Sequence, residues 1–201
     1  MIDRGERAAY DAIVLSGGRG SRLGGVDKGA LVVGGRSLLD TALEACRGSR
    51  RTVVVGPVPA GKDVVTTRES PAYGGPAAAV VAGLQALRAV CDEAGEPAAP
   101  LTLLLACDLP GAEAGVPLLL AGLRQDPEGD GWCLAEADGR LQWLFAIYRT
   151  AALEEAAAEL GEARDVSMGR LLRPLRLRGI PAPESVTADV DTPEDAARWR
   201  G

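Results

Sequence analysis

Short apolar runs, each bounded by turn-forming residues, recur along the first half of the chain. The clearest are AIVL at 12–15, TVVVG at 52–56 and LTLLLAC at 101–107. Each run is continuous and does not alternate with polar residues. This pattern is typical of strands that are buried on both faces, so the three runs predict the centre of a sheet covered by helices.

Between these runs, apolar residues recur at helical spacing on one face. Two predicted helices carry such a face, made of Leu38, Leu39, Ala42, Leu43 and Cys46 in the first and of Val80, Val81, Leu84, Leu87 and Cys91 in the second. Alternation of strand and helix predicts right-handed crossovers between parallel strands.

The second half of the chain changes this picture. In the stretch 132–148, WCLAEADGRLQWLFAIY, two strand-like runs flank Asp138 and Gly139, which predicts a hairpin and therefore a mixed sheet. Near the end, Thr192 followed by Pro193 and Asp195 predicts a helix that begins at the proline. We expect a single domain over residues 1–201 with a three-layer α/β/α, Rossmann-like architecture and a mostly parallel mixed sheet.

Composition narrows the range of functions. The chain has 201 residues, 47% of them hydrophobic and 25% charged, with a net charge of -6, which argues against general binding to nucleic acid. No apolar run is long enough to cross a membrane, and the first residues do not resemble a signal peptide. The four cysteines form no C-x-x-C pair, and we expect them to be reduced core residues of a cytoplasmic protein. Histidine is absent, so catalytic triads and zinc sites that contain histidine are excluded.

The stretch 16–29, SGGRGSRLGGVDKG, follows the first predicted strand and combines glycines with Arg19, Arg22 and Lys28. Such a loop opens into the usual ligand crevice of a parallel sheet, where backbone N–H groups and cations can bind polyphosphate. A tight turn with solvated cations is the alternative. The P-loop is excluded because Lys28 precedes Gly29, and the dinucleotide fingerprint fails at Leu23, so a dehydrogenase is disfavoured.

The stretch from Leu15 to Gly29 resembles the nucleotidyltransferase signature L-x-G-G-x-x-x-R-x-G-G-x-D-K-G, and is most similar to the MobA-like molybdenum cofactor guanylyltransferases. Further segments are similar to that family: GGPAAAVVAGL at 74–84, ACDLP at 106–110, QWLFAIYRTAAL at 142–153 and DVDTPED at 189–195. The chain departs from the family at Gly56, where the guanylyl enzymes often carry asparagine.

The resemblance implies roles for particular residues. It assigns catalysis to Lys28 and Arg22, and nucleotide binding to Leu15, Ser16, Gly17, Gly18, Lys28, Glu69 and Asp108. Asp108 and Asp191 are candidate ligands for Mg²⁺, which prefers carboxylate oxygens and water. The alternatives are that Asp108 caps the following helix, that Asp191 is merely solvated, and that Glu69 is an exposed loop residue.

The family relation implies Mg²⁺-dependent transfer of GMP from GTP to molybdopterin, with release of pyrophosphate. Transient contact with other proteins of molybdenum cofactor biosynthesis would follow. Two alternatives stay open: transfer from CTP or UTP to molybdopterin, a sugar phosphate or a polyol phosphate, and a non-catalytic nucleotide-binding module. Gln142 and Trp143 are candidates to face the acceptor phosphate, whereas RLLRPLRLR at 170–178 is interpreted as a solvated helix face and an edge strand.

Overall fold

The computed structural model describes residues 9–17, 28–58, 64–70, 72 and 74–199. Its strands are β1 (Tyr10–Leu15), β2 (Val32–Val33), β3 (Arg36–Ser37), β4 (Thr52–Val55), β5 (Val65–Thr67), β6 (Leu101–Ala106), β7 (Gly131–Ala135), β8 (Leu141–Arg149) and β9 (Leu177–Pro181). Its helices are α1 (Leu38–Ala45), α2 (Pro76–Ala94), α3 (Ala112–Gln125), α4 (Thr150–Leu160), α5 (Met168–Leu171), α6 (Glu184–Thr187) and α7 (Pro193–Arg198), with a 3-10 turn at Lys28–Ala30.

The main sheet has the strand order β5-β4-β1-β6-β8-β7-β9. All neighbours are parallel except β8, which runs antiparallel to both β6 and β7. In the central register, Leu15 lies opposite both Val55 and Ala106, so β1, β4 and β6 end side by side. The predicted mostly parallel mixed sheet is therefore confirmed.

Alternate residues of β1 divide the core between two helical layers. Ala12 and Val14 pack in a cluster with residues of α1 and α3, whereas Ile13 and Leu15 pack in a cluster with residues of α2 and α4. Because both faces of the strand are covered by apolar groups, its sequence is a continuous apolar run, and the three-layer prediction is confirmed.

The predicted hairpin is also present, with Gly139 at a φ of 86°, a conformation that glycine adopts easily. The predicted final helix begins at Pro193, and Thr192 and Asp195 form a capping box at its start. The stretch 170–178 supplies part of α5 and the start of edge strand β9, as expected.

Strand β5 was not predicted, because its three residues, Val65–Thr67, contain no apolar run. All four cysteines are buried, as expected. Among the described helices, none combines the length and the apolar character needed to cross a membrane.

Candidate active site

The first group of predicted site residues lies where β1 ends. Leu15 closes the strand, and the backbone N–H of Ser16 still donates to the carbonyl of Val55, at 2.9 Å. Ser16 is only 2% exposed, and its hydroxyl has no hydrogen-bond partner among the described residues. Gly17 is exposed at the mouth of a cavity. Gly18 and Arg22, together with Arg19, lie outside the described residues.

The second group centres on the ammonium of Lys28. Its Nζ donates to Oδ2 of Asp108 at 3.0 Å and also to Oδ1 of Asp191. The three side chains are 21–34% exposed, so water weakens these ion pairs only in part. One cation therefore joins two carboxylates that lie 83 positions apart in the sequence.

Backbone hydrogen bonds explain how Asp191 reaches this place. The N–H of Val190, a residue with no exposed surface, donates to the carbonyl oxygen of Asp108 at 2.9 Å. On the other side, Oδ2 of Asp195 accepts from the N–H of Thr192 at 3.0 Å and from the N–H of Asp191 at 3.3 Å. The segment before α7 is thus fixed against the end of β6.

The alternative role for Asp108 is wrong. Helix α3 starts three residues after Leu109, with Gly111 at its N-cap and no side-chain capping bond. The carboxylate of Asp108 pairs with Lys28 instead. Asp191 likewise is a partner of Lys28 and is not merely solvated.

The ionisation of Lys28 reflects its two partners. Partial burial disfavours the charged ammonium, but the hydrogen bonds and negative charges of Asp191 and Asp108 outweigh it and raise the pKa of Lys28. Lys28 is therefore positively charged at neutral pH and available to a polyanion.

Sequence reasoning missed one acidic residue of this site. Burial and the negative charges of Asp191 and Asp108 raise the pKa of Asp189. Asp189 and Asp191 flank buried Val190, and side chains two positions apart on an extended segment point to the same side. The alternation D-V-D was the signal that could have identified Asp189.

A cavity of about 340 Å³ opens beside Lys28 and Asp108. Five predicted site residues line it, namely Leu15, Gly17, Lys28, Glu69 and Asp108. Glu69 follows β5 and is half-buried, so it is not simply an exposed loop residue. The backbone of α2 begins at the same wall, where Gly75 caps the helix without any side-chain hydrogen bond.

The conformation of Gly56 excludes a larger residue such as asparagine at this position. Its φ is 133°, and a Cβ there would lie 2.2 Å from the carbonyl oxygen of Ser16. Real side chains do not approach so closely, so the ends of β1 and β4 depend on glycine at this position. The space that an asparagine side chain would occupy is filled by the backbone after β1.

A second, larger cavity of about 990 Å³ lies next to the first. The two share part of their lining, which consists of Gly75, Pro76, Ala106, Asp108 and Leu144. Gln142 and Trp143, the candidates for the acceptor side, line the larger cavity, as does Asp189. Two ligands could therefore meet at Asp108.

Asp108 and Asp191 fit the needs of a hard divalent cation, because both are partly exposed carboxylates that contact the same ammonium. Among the described residues, no group of three or more acidic, cysteine or histidine side chains could hold a metal ion. Mg²⁺ commonly takes only one or two carboxylates and completes its shell with water and phosphate oxygens.

Comparisons with known proteins agree with this geometry. Residues 12–179 match the family model for the MobA-like NTP transferase domain. The molybdenum cofactor guanylyltransferase of Cereibacter sphaeroides is 32% identical, and the alignment covers 92% of this chain and 93% of that protein.

Solved structures show the same fold at lower identity. Molybdopterin-guanine dinucleotide biosynthesis protein A from Archaeoglobus fulgidus is 18% identical, with a TM-score of 0.65 and coverage of 94% and 96% of the two chains. 2-C-methyl-D-erythritol 4-phosphate cytidylyltransferase from Thermus thermophilus is also 18% identical, with a TM-score of 0.64 and coverage of 94% and 96%. The match over residues 12–179 and the 32% identity together show that the chain belongs to the MobA-like NTP transferase family and is a nucleotidyltransferase.

Proposed function

We propose that the protein transfers GMP from GTP to molybdopterin and releases pyrophosphate. The observation that carries the proposal is the position of Asp108, which lines both cavities and pairs with Lys28 of the smaller one. The smaller cavity would take the nucleotide and the larger one the acceptor. The name of the relative from Cereibacter sphaeroides supports the choice of both substrates.

In the nucleotide cavity, the glycine-rich loop and Lys28 would hold the phosphates of GTP. Gly18 and Arg22 are assigned to the triphosphate from the loop sequence. The start of α2 adds a favourable field, since the N-terminus of a helix attracts negative charge. Glu69 would accept hydrogen bonds from N1–H and the amino group of guanine.

In the reaction, an oxygen of the acceptor's phosphate forms a bond to the α-phosphorus of GTP. The bond from that phosphorus to the bridging oxygen breaks in line, and the electron pair leaves with pyrophosphate. A phosphate monoester loses its second proton at a pKa of about 6, so the nucleophile is already ionised. The chain contains no histidine, and this chemistry needs no general base.

Lys28 would stabilise the charge that grows on the transferring phosphate and on the leaving oxygen, which is an electrostatic contribution to the rate. Asp108 and Asp191 would hold Mg²⁺, which neutralises phosphate charge when it is bound. The carboxylates must then exchange one cation for another, because Lys28 contacts both of them.

A cytidylyl or uridylyl transferase is the rival proposal, because the fold is also that of a cytidylyltransferase from Thermus thermophilus. Dissociation constants for GTP, CTP, ATP and UTP with Mg²⁺, measured by calorimetry on wild type and Glu69→Gln, separate the two. We expect GTP to bind best and Glu69→Gln to weaken GTP about tenfold or more, since a hydrogen bond to a charged group is lost. A preference for CTP in the wild type would refute the guanylyl assignment.

The proposal also includes expectations for the extent of the domain, the location of the enzyme and its partners. Residues 1–201 would form one nucleotidyltransferase domain. The four buried cysteines suit the reducing cytoplasm, where we place the enzyme. Proteins that deliver molybdopterin or accept the product would be its transient partners. The alternative of a non-catalytic nucleotide-binding module would be refuted by GTP-dependent release of pyrophosphate.

A further inference from the structure

Trp143 differs from the aromatic residues of the core. Four aromatic side chains, Tyr10, Trp132, Phe145 and Tyr148, are at most 4% exposed, whereas Trp143 is 38% exposed. It lies on the larger cavity and is the only aromatic side chain among the described residues that line it. Aromatic residues make up only 3% of the chain, so an aromatic side chain that is exposed in a cavity is unusual in this protein.

An irregularity of the sheet places Trp143 there. Cys133 of β7 pairs with Ala146 of β8, but the next residue, Leu134, pairs with Gln142. The residues 143–145 are therefore extra on β8 relative to β7. Bulges of this kind turn a side chain away from its regular direction and are common beside active sites.

Two contacts hold Trp143 in this position. The hydroxyl of buried Tyr148 donates to the backbone carbonyl oxygen of Trp143 at 2.8 Å. The six-membered ring of the indole contacts Gly169, where a Cβ would lie 3.1 Å from its Cη2 atom. The backbone of Trp143 is thus anchored and one side of its indole packs on Gly169, which lowers the entropy cost of a contact with the ring.

The surrounding walls are mainly apolar. The side chains of Leu109, Leu141, Leu144, Val166 and Met168 line the cavity together with Trp143. Asp108 and the start of α2 lie at the end that is shared with the nucleotide cavity. A ligand with an apolar or aromatic body matches these walls, and an anionic end would face the positive N-terminus of α2.

We propose that Trp143 is the specificity-determining residue of the acceptor cavity and that it stacks on the planar ring of a heterocyclic phosphate monoester. The phosphate of this acceptor would point toward Asp108 and Lys28, and its ring would lie against the indole. This inference rests on the proposed function, since it assigns the larger cavity to the acceptor. An acyclic polyol phosphate would gain little from the indole, because it has no flat ring to stack.

The test measures binding of two phosphate monoesters by calorimetry, in the presence of a non-hydrolysable GTP analogue. Neopterin monophosphate carries a planar ring, and glycerol 3-phosphate does not. The variants are Trp143→Leu, which keeps the apolar volume, Trp143→Phe, which keeps an aromatic face, and Gly169→Ala, which presses on the indole.

We expect Trp143→Leu to weaken neopterin monophosphate about tenfold, the scale of one base–aromatic stack, and Trp143→Phe to restore most of the loss. Gly169→Ala should weaken binding of neopterin monophosphate by a smaller factor than Trp143→Leu does. Affinity for the GTP analogue and for glycerol 3-phosphate should not change in any variant, which excludes misfolding as the cause.

Two outcomes overturn the inference: equal affinity of wild type and Trp143→Leu for the pterin probe, or wild-type binding of glycerol 3-phosphate as tight as that of the pterin probe. The proposed function fails separately, if wild type binds the pterin probe through Trp143 but prefers CTP to GTP. Conversely, if the wild type prefers GTP while Trp143→Leu binds the pterin probe as tightly as the wild type does, only the stacking role is refuted.

Discussion

We call the side of the sheet where the parallel strands begin the amino edge, and the side where they end the carboxyl edge. Both carry acidic side chains, but the charges of these side chains are neutralised in different ways. At the carboxyl edge, Asp108 and Asp191 share one ammonium, that of Lys28. At the amino edge, Asp11 accepts from the N–H of Ala99 at 2.9 Å and lies 4.0 Å from a guanidinium nitrogen of Arg51.

A second pair at the amino edge follows the same rule. Asp130 precedes β7 and accepts from the backbone N–H of Arg176 at 2.9 Å and from its Nε at 3.1 Å. Carboxylates at this edge tie neighbouring strands together. At the carboxyl edge, one ammonium faces two carboxylates, and burial together with the charges of Asp191 and Asp108 raises the pKa of the neighbouring Asp189. The amino edge thus holds strands together, whereas the carboxyl edge carries the proposed ligand site.

The largest contrast should come from Lys28→Ala. We expect pyrophosphate release to fall about a hundredfold or more, as when one preorganised donor to a developing charge is removed. The melting temperature should change little, because Lys28 is partly solvated. The matched control is Arg36→Ala. Arg36 lies in β3, and its replacement removes an exposed ion pair with Glu113 of α3. Near-normal turnover of Lys28→Ala would end the distinction between the edges.

Asp11→Ala tests the opposite edge. Asp11 is 1% exposed, so its removal leaves the N–H of Ala99 buried without a partner. We expect a loss of about 2 kcal/mol in the free energy of unfolding, measured with urea. Steady-state turnover at a temperature where the variant stays folded should match wild type. A large loss of turnover in the folded variant would show that this edge also affects the reaction.

Lys28→Met sharpens the idea of shared neutralisation. Without the ammonium, Asp108 and Asp191 repel each other, and a divalent ion relieves that repulsion. We expect Mn²⁺ to bind the nucleotide-free variant about tenfold more tightly than it binds wild type, measured by electron paramagnetic resonance. The double variant Lys28→Met with Asp191→Asn should lose this gain. Unchanged Mn²⁺ affinity would argue that the two carboxylates do not act on a common ion.

Asp130→Asn should give the smallest effect, and a pH-dependent one. Hydrogen bonds from the side chain and backbone of Arg176 lower the pKa of Asp130 below its ordinary 3.8. The ionised carboxylate therefore stabilises the fold above pH 3.8, and the stabilisation is lost as pH falls through the lowered pKa. We expect Asp130→Asn to cost about 1 kcal/mol at neutral pH. Urea titrations should show this difference shrinking with acidification, whereas a constant difference would exclude the charge as its cause.

The sequence predicted the features that depend on local pattern. The runs at 12–15, 52–56 and 101–107 are apolar because they are central strands, and Asp108 could be placed because it follows one of them. The glycine at 139 marked the hairpin for a similar local reason.

What could not be predicted depends on tertiary contacts. The meeting of Asp191 with Asp108 requires the hydrogen bond from Val190 and the capping box of α7, and no local pattern specifies the first of these. Strand β5 forms because β4 offers it a partner, not because its own residues are apolar. The bulge at 143–145 is likewise invisible in the sequence, since the run QWLFAIY is compatible with a regular strand.

Gly56 has a consequence for protein engineering. An asparagine cannot be restored here by one substitution, because its Cβ would overlap the carbonyl oxygen of Ser16. The backbone after β1 would have to retreat first, and that movement would carry Gly17 with it. Because position 56 is coupled to the backbone after β1, a library intended to alter nucleotide choice should vary Ser16, Gly56 and Glu69 together.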